Sequence, residues 1–341
     1  MRSDFDFGVT SSVPGIGRWR VADTGTALAE TAHYLAEPQD KWAWQTCRWF
    51  ELDTQDAEWG NSAMRDKSGG RGSGPVEMCR PELPAALRQI RDHQRLSRAT
   101  AYKRHDIAPG YLYELEKGKC QPSPTKLDSL IRGYKLNEDQ ARYLHDLNSP
   151  SVDLAPEEEL RTRMASQPEF AAHLQDMQTR DMPGAYLTPI FNILMCNDLL
   201  RSVLPEIDEA GSLLVWLFTP VAKEVHADWE REAARAVAMA KGVLARHRDT
   251  EQVARLLRRL RRNNDFRRLW ASSIDVSYGR SPNDYKYFRV PESDDIVAYS
   301  VLLSAVPETS DLMLLNVIQK HGVHVPDRLA KQRNAARSAG I

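Results

Sequence analysis

The stretch LSRATAYKRHDIAPGYLYELEKGK, residues 96–119, decides how the middle of this 341-residue chain folds. Ser97 is suited to cap a helix, and Pro109 stands at the first position of the next helix, after a short turn. A Leu-x-x-Leu pair follows at helical spacing, and Gly118 is typical of a left-handed helix end. The pattern therefore predicts two short helices joined by a tight turn.

Three further helices surround this pair. Apolar residues at helical spacing predict one helix before it, over residues 82–93, and two after it, opening at Pro124 and at Asn137. Five short helices in about 65 residues describe a helix-turn-helix bundle, and we place this domain at residues 78–147.

The bundle resembles the lambda-repressor-like (Xre) family, through Leu-Ser at the start of its second helix and Leu-x-x-Leu-Glu-x-Gly at the end of its third. The resemblance implies that the third helix enters the major groove of double-stranded DNA while the start of the second clamps backbone and bases. Arg98 stands where the family commonly has glutamine and is suited to read a guanine. The residues expected to meet DNA are Arg98, Pro109, Gly110, Tyr113, Glu114, Lys117 and Lys119.

The turn also departs from the family. Tyr102, His105 and Asp106 replace smaller or apolar residues, and Pro109 with Gly110 leaves the reading face short of long donors. A protein-interaction adaptor with a degraded helix-turn-helix, which no longer binds DNA, therefore stays the alternative.

The region after the Pro-containing linker 148–156 contains both strand-like and helix-like patterns of apolar residues. Strands are predicted at 185–188, 191–197, 285–290, 296–306 and 312–319. Helices are predicted at 157–178, 198–204, 213–218, 225–246, 250–260 and 265–271. One antiparallel sheet of about five strands with helices on a face follows, so the chain as a whole is a multidomain α+β protein.

Several motifs in this region resemble MmyB-like transcription regulators in their order along the chain. They are DMPGAYL (181–187), NILxxN (192–197), WLF (216–218), DWE (228–230) and FRxLWA (266–271). The resemblance implies a PAS-like ligand-binding domain, here residues 157–320, with a pocket for a small apolar or fatty-acid-like molecule. The sequence SPNDY (281–285) replaces the His-Pro…Gly element usual in that family.

Large aromatic side chains are the candidates for lining such a pocket, with one amide as a polar anchor. The candidate ligand-binding residues are Tyr186, Asn197, Trp216, Phe218, Trp229, Phe266 and Trp270. Aromatic residues in such a domain are more often core, and this alternative stays open. The arginine run 255–262 is either a solvated helix face or a partner for an acidic group.

Charge, cysteine content and the absence of catalytic motifs limit which other classes of protein this chain could belong to. The net charge is −1, yet residues 82–147 carry twelve Lys or Arg against nine acids, and residues 246–268 nine Arg against three. This local excess permits contact with phosphate. Four dispersed cysteines without a C-x-x-C pair argue against a zinc site or a disulfide framework. No nucleotide-binding, hydrolase or metalloprotease motif appears, so neither an enzyme nor a cofactor is expected.

The sequence also predicts how the two ends of the chain are organised and where in the cell the protein lies. Residues 1–77 form an extension with five of the eight tryptophans and a Gly/Ser-rich linker at 62–77, and residues 321–341 form a tail. No apolar run approaches the ~20 residues of a membrane span, and no secretory signal appears. We expect a cytoplasmic protein that binds DNA as a homodimer.

Overall fold

The computed structural model describes residues 80–329, apart from 282, 291, 292, 294, 308 and 310. The predicted extension 1–77 with its linker, and the tail beyond 329, lie outside the described residues. The described residues belong to one compact unit, residues 65–341. Within the part of the chain that is described, no helix is long and apolar enough to cross a membrane.

The predicted five-helix bundle is present. Its helices are α1 (Leu83–His93), α2 (Arg98–His105), α3 (Pro109–Glu116), α4 (Pro124–Gly133) and α5 (Glu138–Asn148). Its core is built from leucines at the predicted spacing, of which Leu87, Leu112, Leu127 and Leu144 are fully buried. These side chains would otherwise expose apolar area to water, and their burial supplies the main driving force for the bundle.

Local signals fix where the helices of the bundle begin and end. The Ser97 hydroxyl accepts a hydrogen bond from the Thr100 N–H at 3.0 Å, which caps α2 as predicted. Gly118 has a φ of +69° and ends α3, while the Lys119 N–H bonds the Glu114 carbonyl at 3.0 Å. Between α2 and α4 the packing is close, because a Cβ on Gly133 would lie 2.5 Å from the His105 Cβ.

The predicted sheet is also present, as five antiparallel strands in the order β2-β1-β5-β4-β3. The strands are β1 (Gly184–Leu187), β2 (Ile193–Cys196), β3 (Lys286–Arg289), β4 (Ile296–Ala305) and β5 (Met313–Lys320). The last strand therefore inserts between the first strand and the rest of the final meander. This order joins the two distant halves of the domain into one sheet.

Nine helices that lie wholly within the described residues flank the sheet, and residues 327–329, at the end of the described range, are also helical. The nine are α6 (Glu157–Ala165), α7 (Pro168–Thr179), α8 (Asp198–Val203), α9 (Ile207–Ala210), α10 (Leu213–Leu217), α11 (Pro220–Val225), α12 (Trp229–Arg246), α13 (Glu251–Leu260) and α14 (Asn264–Ser272). Helices α6 and α7 share a core cluster with Tyr186 and Leu194, whereas α10 to α14 pack with Leu187 and Leu315 of the sheet in a second cluster.

Two of the predicted helices were wrong in extent. The helix predicted over 157–178 is two helices, because Pro168 lacks an N–H and holds Gln167 in an extended conformation (φ −121°, ψ 97°). The helix predicted over 225–246 begins only at Trp229. The residues before it leave the helical conformation, since His226 forms a β-bridge with Phe288.

The bundle and the sheet region share apolar packing. Ala245 of α12 and Val276, in the segment that follows α14, belong to the same core cluster as the leucines of the bundle. Both are at least nine-tenths buried. The side chain of Gln140 on α5 donates a hydrogen bond to the Ile274 carbonyl at 3.2 Å. Residues 273–278 thus lie between the bundle and α12.

Candidate functional site

The outer face of α3 carries the residues expected to meet DNA. Pro109, Gly110 and Lys117 are exposed, and nothing lies within 4 Å of where a Cβ on Gly110 would stand. Tyr113 is 39% exposed, which is unusual for a large aromatic side chain in this structure. The open start of α3 leaves its backbone free to approach a partner closely.

Cationic side chains surround the exposed Tyr113 ring. The guanidinium of Arg98 lies 5.0 Å from the ring centroid, and the ammonium groups of Lys117 and Lys119 lie at 5.9 and 5.7 Å. Glu114 pairs with Lys119 at 3.0 Å and raises the pKa of that lysine. The structure therefore brings three of the predicted residues around the ring of a fourth, Tyr113, and joins Glu114 to them through Lys119.

Arg98 is held by the protein itself. Its Nε and Nη2 donate hydrogen bonds of 2.9 and 2.6 Å to Glu116 Oε2 at the end of α3. Glu116 also accepts bonds of 2.5 and 3.1 Å from Arg91 on α1, and this acid is 1% exposed. That hydrogen bond with Glu116 is the main reason why the pKa of Arg91 is raised. One carboxylate thus joins α1, α2 and α3.

The sequence analysis did not predict this Arg91–Glu116–Arg98 triad. Glu116 belongs to the Leu-x-x-Leu-Glu-x-Gly motif, so the motif contained the signal, but neither arginine partner is at a periodic spacing from it. Arg98 keeps about a third of its side chain exposed, and its reading of a base stays a prediction.

Five of the predicted ligand-binding residues lie in one core cluster, the aromatic cluster. Phe218 meets Trp229 and Phe266 edge-on, with centroids 6.1 and 5.3 Å apart, and Phe266 lies 5.5 Å from Trp270. Trp216 belongs to the same core. The indole N–H groups of Trp216 and Trp229 donate to the backbone carbonyls of Pro205 and Leu217.

The other two predicted ligand-binding residues lie apart from the aromatic cluster. Tyr186 packs beneath α7, where its hydroxyl bonds His173 at 2.6 Å and its ring meets Phe170 edge-on. Asn197 caps α8 by accepting from the Leu200 N–H at 3.0 Å, and it also accepts from the Gly184 N–H. Its amide nitrogen donates to the carbonyls of Leu174 and Met182. Both side chains already have protein partners, and their contact with a ligand stays a prediction.

A charge cluster that the sequence did not predict lies beside the aromatic cluster. Glu232 on α12 is 2% exposed and accepts hydrogen bonds of 2.9 and 2.7 Å from Arg280, with Lys286 Nζ 3.6 Å away. Burial alone would raise the pKa of Glu232, but Lys286 and Arg280 outweigh it and lower this pKa to about 2. Asp284 pairs with Arg280 and also with Arg231, at 2.6 Å.

His226 lies where these two clusters meet. Its ring is edge-on to Trp216 and to Phe288, with centroids 5.7 and 4.5 Å away, and the residue is 1% exposed. Neither ring nitrogen has a hydrogen-bond partner among the described residues. Burial, reinforced by Lys286, lowers the pKa of His226 to about 3, so the ring is neutral at pH 7. Nothing in the sequence around position 226 signalled this environment.

The arginine run on α13 is partly used within the protein. Arg258 pairs with Glu251 at 2.6 Å, and Arg259 donates to the Ala210 carbonyl at 2.8 Å. A shallow surface cleft lies elsewhere, between the linker 148–156, the start of α6 and the turn that follows β1. Its lining includes Leu154, Glu157 and Asp311, and none of the predicted ligand-binding residues.

Comparison with known families supports both halves of this description. Residues 82–144 match the family model described as a helix-turn-helix domain. Residues 164–320 match the model described as the MmyB-like transcription regulator ligand binding domain. The resemblance to MmyB-like regulators is thereby confirmed. Among curated proteins, none matches this chain.

Proposed function

We propose that this chain, an MmyB-like regulator with a helix-turn-helix domain before its ligand-binding domain, binds DNA with an affinity that an apolar or fatty-acid-like molecule controls. The two family matches show a DNA-binding transcription regulator with a ligand-binding domain. The nature of the ligand, the control of DNA binding and a homodimer on two half-sites are proposals. So are the lambda-repressor-like and PAS-like character of the two domains and a place in the cytoplasm.

The observation that best supports control by a ligand is the direct route from the aromatic cluster to the bundle. Gln89 on α1 donates hydrogen bonds to the carbonyls of Trp270, Ala271 and Ser273 at 3.3, 3.0 and 3.0 Å. Trp270 is a predicted ligand-binding residue, and it ends the chain of ring contacts that begins at Trp229. A shift of α14 would therefore change hydrogen bonds made by the bundle itself.

A second contact reinforces this route. Tyr278, in the segment after α14, hydrogen-bonds Asp146 on α5, and the guanidinium of Arg142 lies 4.1 Å from the Tyr278 ring centroid. A ligand shifts such an equilibrium only by its differential affinity for the two arrangements. The proposal thus requires that the ligand bind more tightly to one position of α14 than to the other.

DNA binding is tested by the dependence of affinity on salt. Full-length protein, titrated against labelled DNA from upstream of its own gene, should bind more weakly as salt rises, with a slope that reports the phosphates contacted. Tyr113→Ala should weaken binding at an unchanged melting temperature. Arg88→Ala is the matched control, since Arg88 lies on α1 and pairs only with exposed Asp92 in the contacts of the described chain. Absent or salt-insensitive binding would favour the adaptor alternative.

Control by a ligand is tested by repeating the titration with Gln89→Ala. This variant should keep its affinity for DNA in the absence of ligand but lose the change in affinity that the ligand causes. Mass measurement of the complex in the same samples reports whether two chains bind per DNA site. If no ligand that the wild-type protein binds changes its affinity for DNA, the proposed control is wrong.

A further inference from the structure

Two exposed aromatic side chains lie on the two helices of the helix-turn-helix. Tyr102 on α2 is 44% exposed and Tyr113 on α3 is 39% exposed, and no other Phe, Tyr or Trp side chain of the described residues is exposed. Tyr113 is surrounded by cationic side chains, whereas Tyr102 has no side-chain hydrogen bond, ion pair or ring contact within the described part of the chain. Single exposed apolar side chains are common, but a pair on adjacent helices of one binding motif indicates a contact surface.

The position of Tyr102 on α2 places it on the side of this helix that faces α3. Arg98 donates to Glu116, at the end of α3, at 2.9 Å. Arg104, on another side of α2, donates instead to the side chain of Gln94, just after α1. Tyr102 follows Arg98 by four residues, so the two side chains project from the same face of the helix, one turn apart. Because the chain passes from the end of α2 through a short turn into α3, Tyr102 is the one nearer to the first turn of α3.

The first turn of α3 leaves room for a large side chain in front of it. Pro109 and Gly110 carry no hydrogen-bonding group on their side chains, and nothing lies within 4 Å of where a Cβ on Gly110 would stand. The start of a recognition helix is the part that approaches the base edges, yet neither of these side chains can read them. Tyr102 therefore offers, from α2, the large side chain that the start of α3 lacks.

We propose that Tyr102 is a specificity-determining residue, whose ring contacts the C5-methyl group of a thymine in front of the first turn of α3. This inference rests on the proposed function, because it requires that the bundle bind DNA through the major groove. The methyl group of thymine is the apolar group that bases present in the major groove, and apolar side chains recognise it. Burial of one methyl group against the ring corresponds to a gain in affinity of about fourfold.

The test removes that methyl group alone. In the bound segment of DNA from upstream of the gene, located by footprinting, each thymine is replaced in turn by deoxyuridine, which keeps the base pair and lacks only the methyl group. Full-length wild-type protein should bind at least one of these duplexes about fourfold more weakly than the unmodified DNA. Tyr102→Ala should bind the unmodified DNA about fourfold more weakly and show no further loss with that duplex. Its melting temperature should be unchanged, because the Tyr102 side chain is exposed.

Two further variants separate the ring contact from other effects. Tyr102→Phe keeps the ring and removes the hydroxyl, so it should keep the wild-type loss of affinity with deoxyuridine. Leu302→Ala removes an apolar side chain of similar exposure, 38%, from β4 and should bind every duplex like the wild type.

The outcomes distinguish this inference from the proposed function. Equal binding of all duplexes by the wild type would overturn the thymine contact while leaving DNA binding intact. The same deoxyuridine loss in Tyr102→Ala as in the wild type would overturn the assignment to Tyr102. Disappearance of that loss in Tyr102→Phe would place the contact at the hydroxyl and would also overturn the proposal. Absence of DNA binding by the wild type would refute the proposed function itself, and this inference with it.

Discussion

Replacing Glu116 by glutamine tests whether the triad holds the DNA-binding bundle together. The change keeps the size of the side chain but leaves Arg91, whose side chain is 9% exposed, without its buried counter-charge. Removing one partner of a buried ion pair costs about 3–5 kcal/mol. Arg98 is 34% exposed and can be rehydrated, so we expect the lower end, about 3 kcal/mol. For a unit of this size, that corresponds to a fall in melting temperature of roughly 6–12 °C.

The assay is urea unfolding of the full-length protein followed by circular dichroism, with Glu114→Gln as the matched control. Glu114 is on the same helix, but its pair with Lys119 is exposed, and its loss should cost less than ~1 kcal/mol. Glu116→Gln should also weaken DNA binding, because Arg98 would no longer be fixed against Tyr113. A variant as stable as Glu114→Gln would refute the view that the triad stabilises the bundle.

Three further predictions concern pH, packing and salt. The pKa of His226 is lowered from 6.5 to about 3, so the unfolded chain binds a proton more readily below pH 6.5. The free energy of unfolding should therefore fall with decreasing pH from 6.5 to about 3, by up to ~1.4 kcal/mol per unit, and His226→Phe should flatten this profile in urea titrations. Gly133→Ala should destabilise by ~1–3 kcal/mol, because its Cβ would meet the backbone at the end of α2. Gly110→Ala should leave the free energy of unfolding unchanged or raise it in the same urea titrations. A fall in that free energy would contradict the open space around this position. Lys117→Ala should lower the salt slope of DNA binding by about one and weaken binding to all DNA sequences alike, whereas an unchanged slope would place this lysine off the phosphates.

Much of the fold was predictable because its signals are local. Ser97, Pro109 and Gly118 set helix ends through their own backbone preferences, and the five strands followed from short apolar runs between turns. The two errors in helix extent have a different character. Pro168 was a local signal that helical spacing on both sides concealed. The late start of α12 at Trp229 instead depends on the pairing of His226 with Phe288 of β3, about 60 residues later in the chain.

The candidate site likewise contains residues that local motifs predict and residues that only the fold brings together. The exposed residues of α3 and the five residues of the aromatic cluster could be named from the sequence, since each belongs to a short motif. The charge cluster could not, because Glu232 on α12 and Arg280, in the segment between α14 and β3, are 48 positions apart and meet only in the folded chain. Charged residues in a sequence ordinarily predict solvent, and burial of this group depends on several elements at once.

The shared core between bundle and sheet region has a consequence for evolution. Ala245 and Val276 complete the packing of the bundle, so the DNA-binding part is not a cassette that could be exchanged freely between regulators. A recombinant that grafted this bundle onto an unrelated sensor would expose leucines that α12 now covers. Lineages that acquire a new sensor must therefore change both partners of this seam together, and its residues should vary as correlated pairs rather than one at a time.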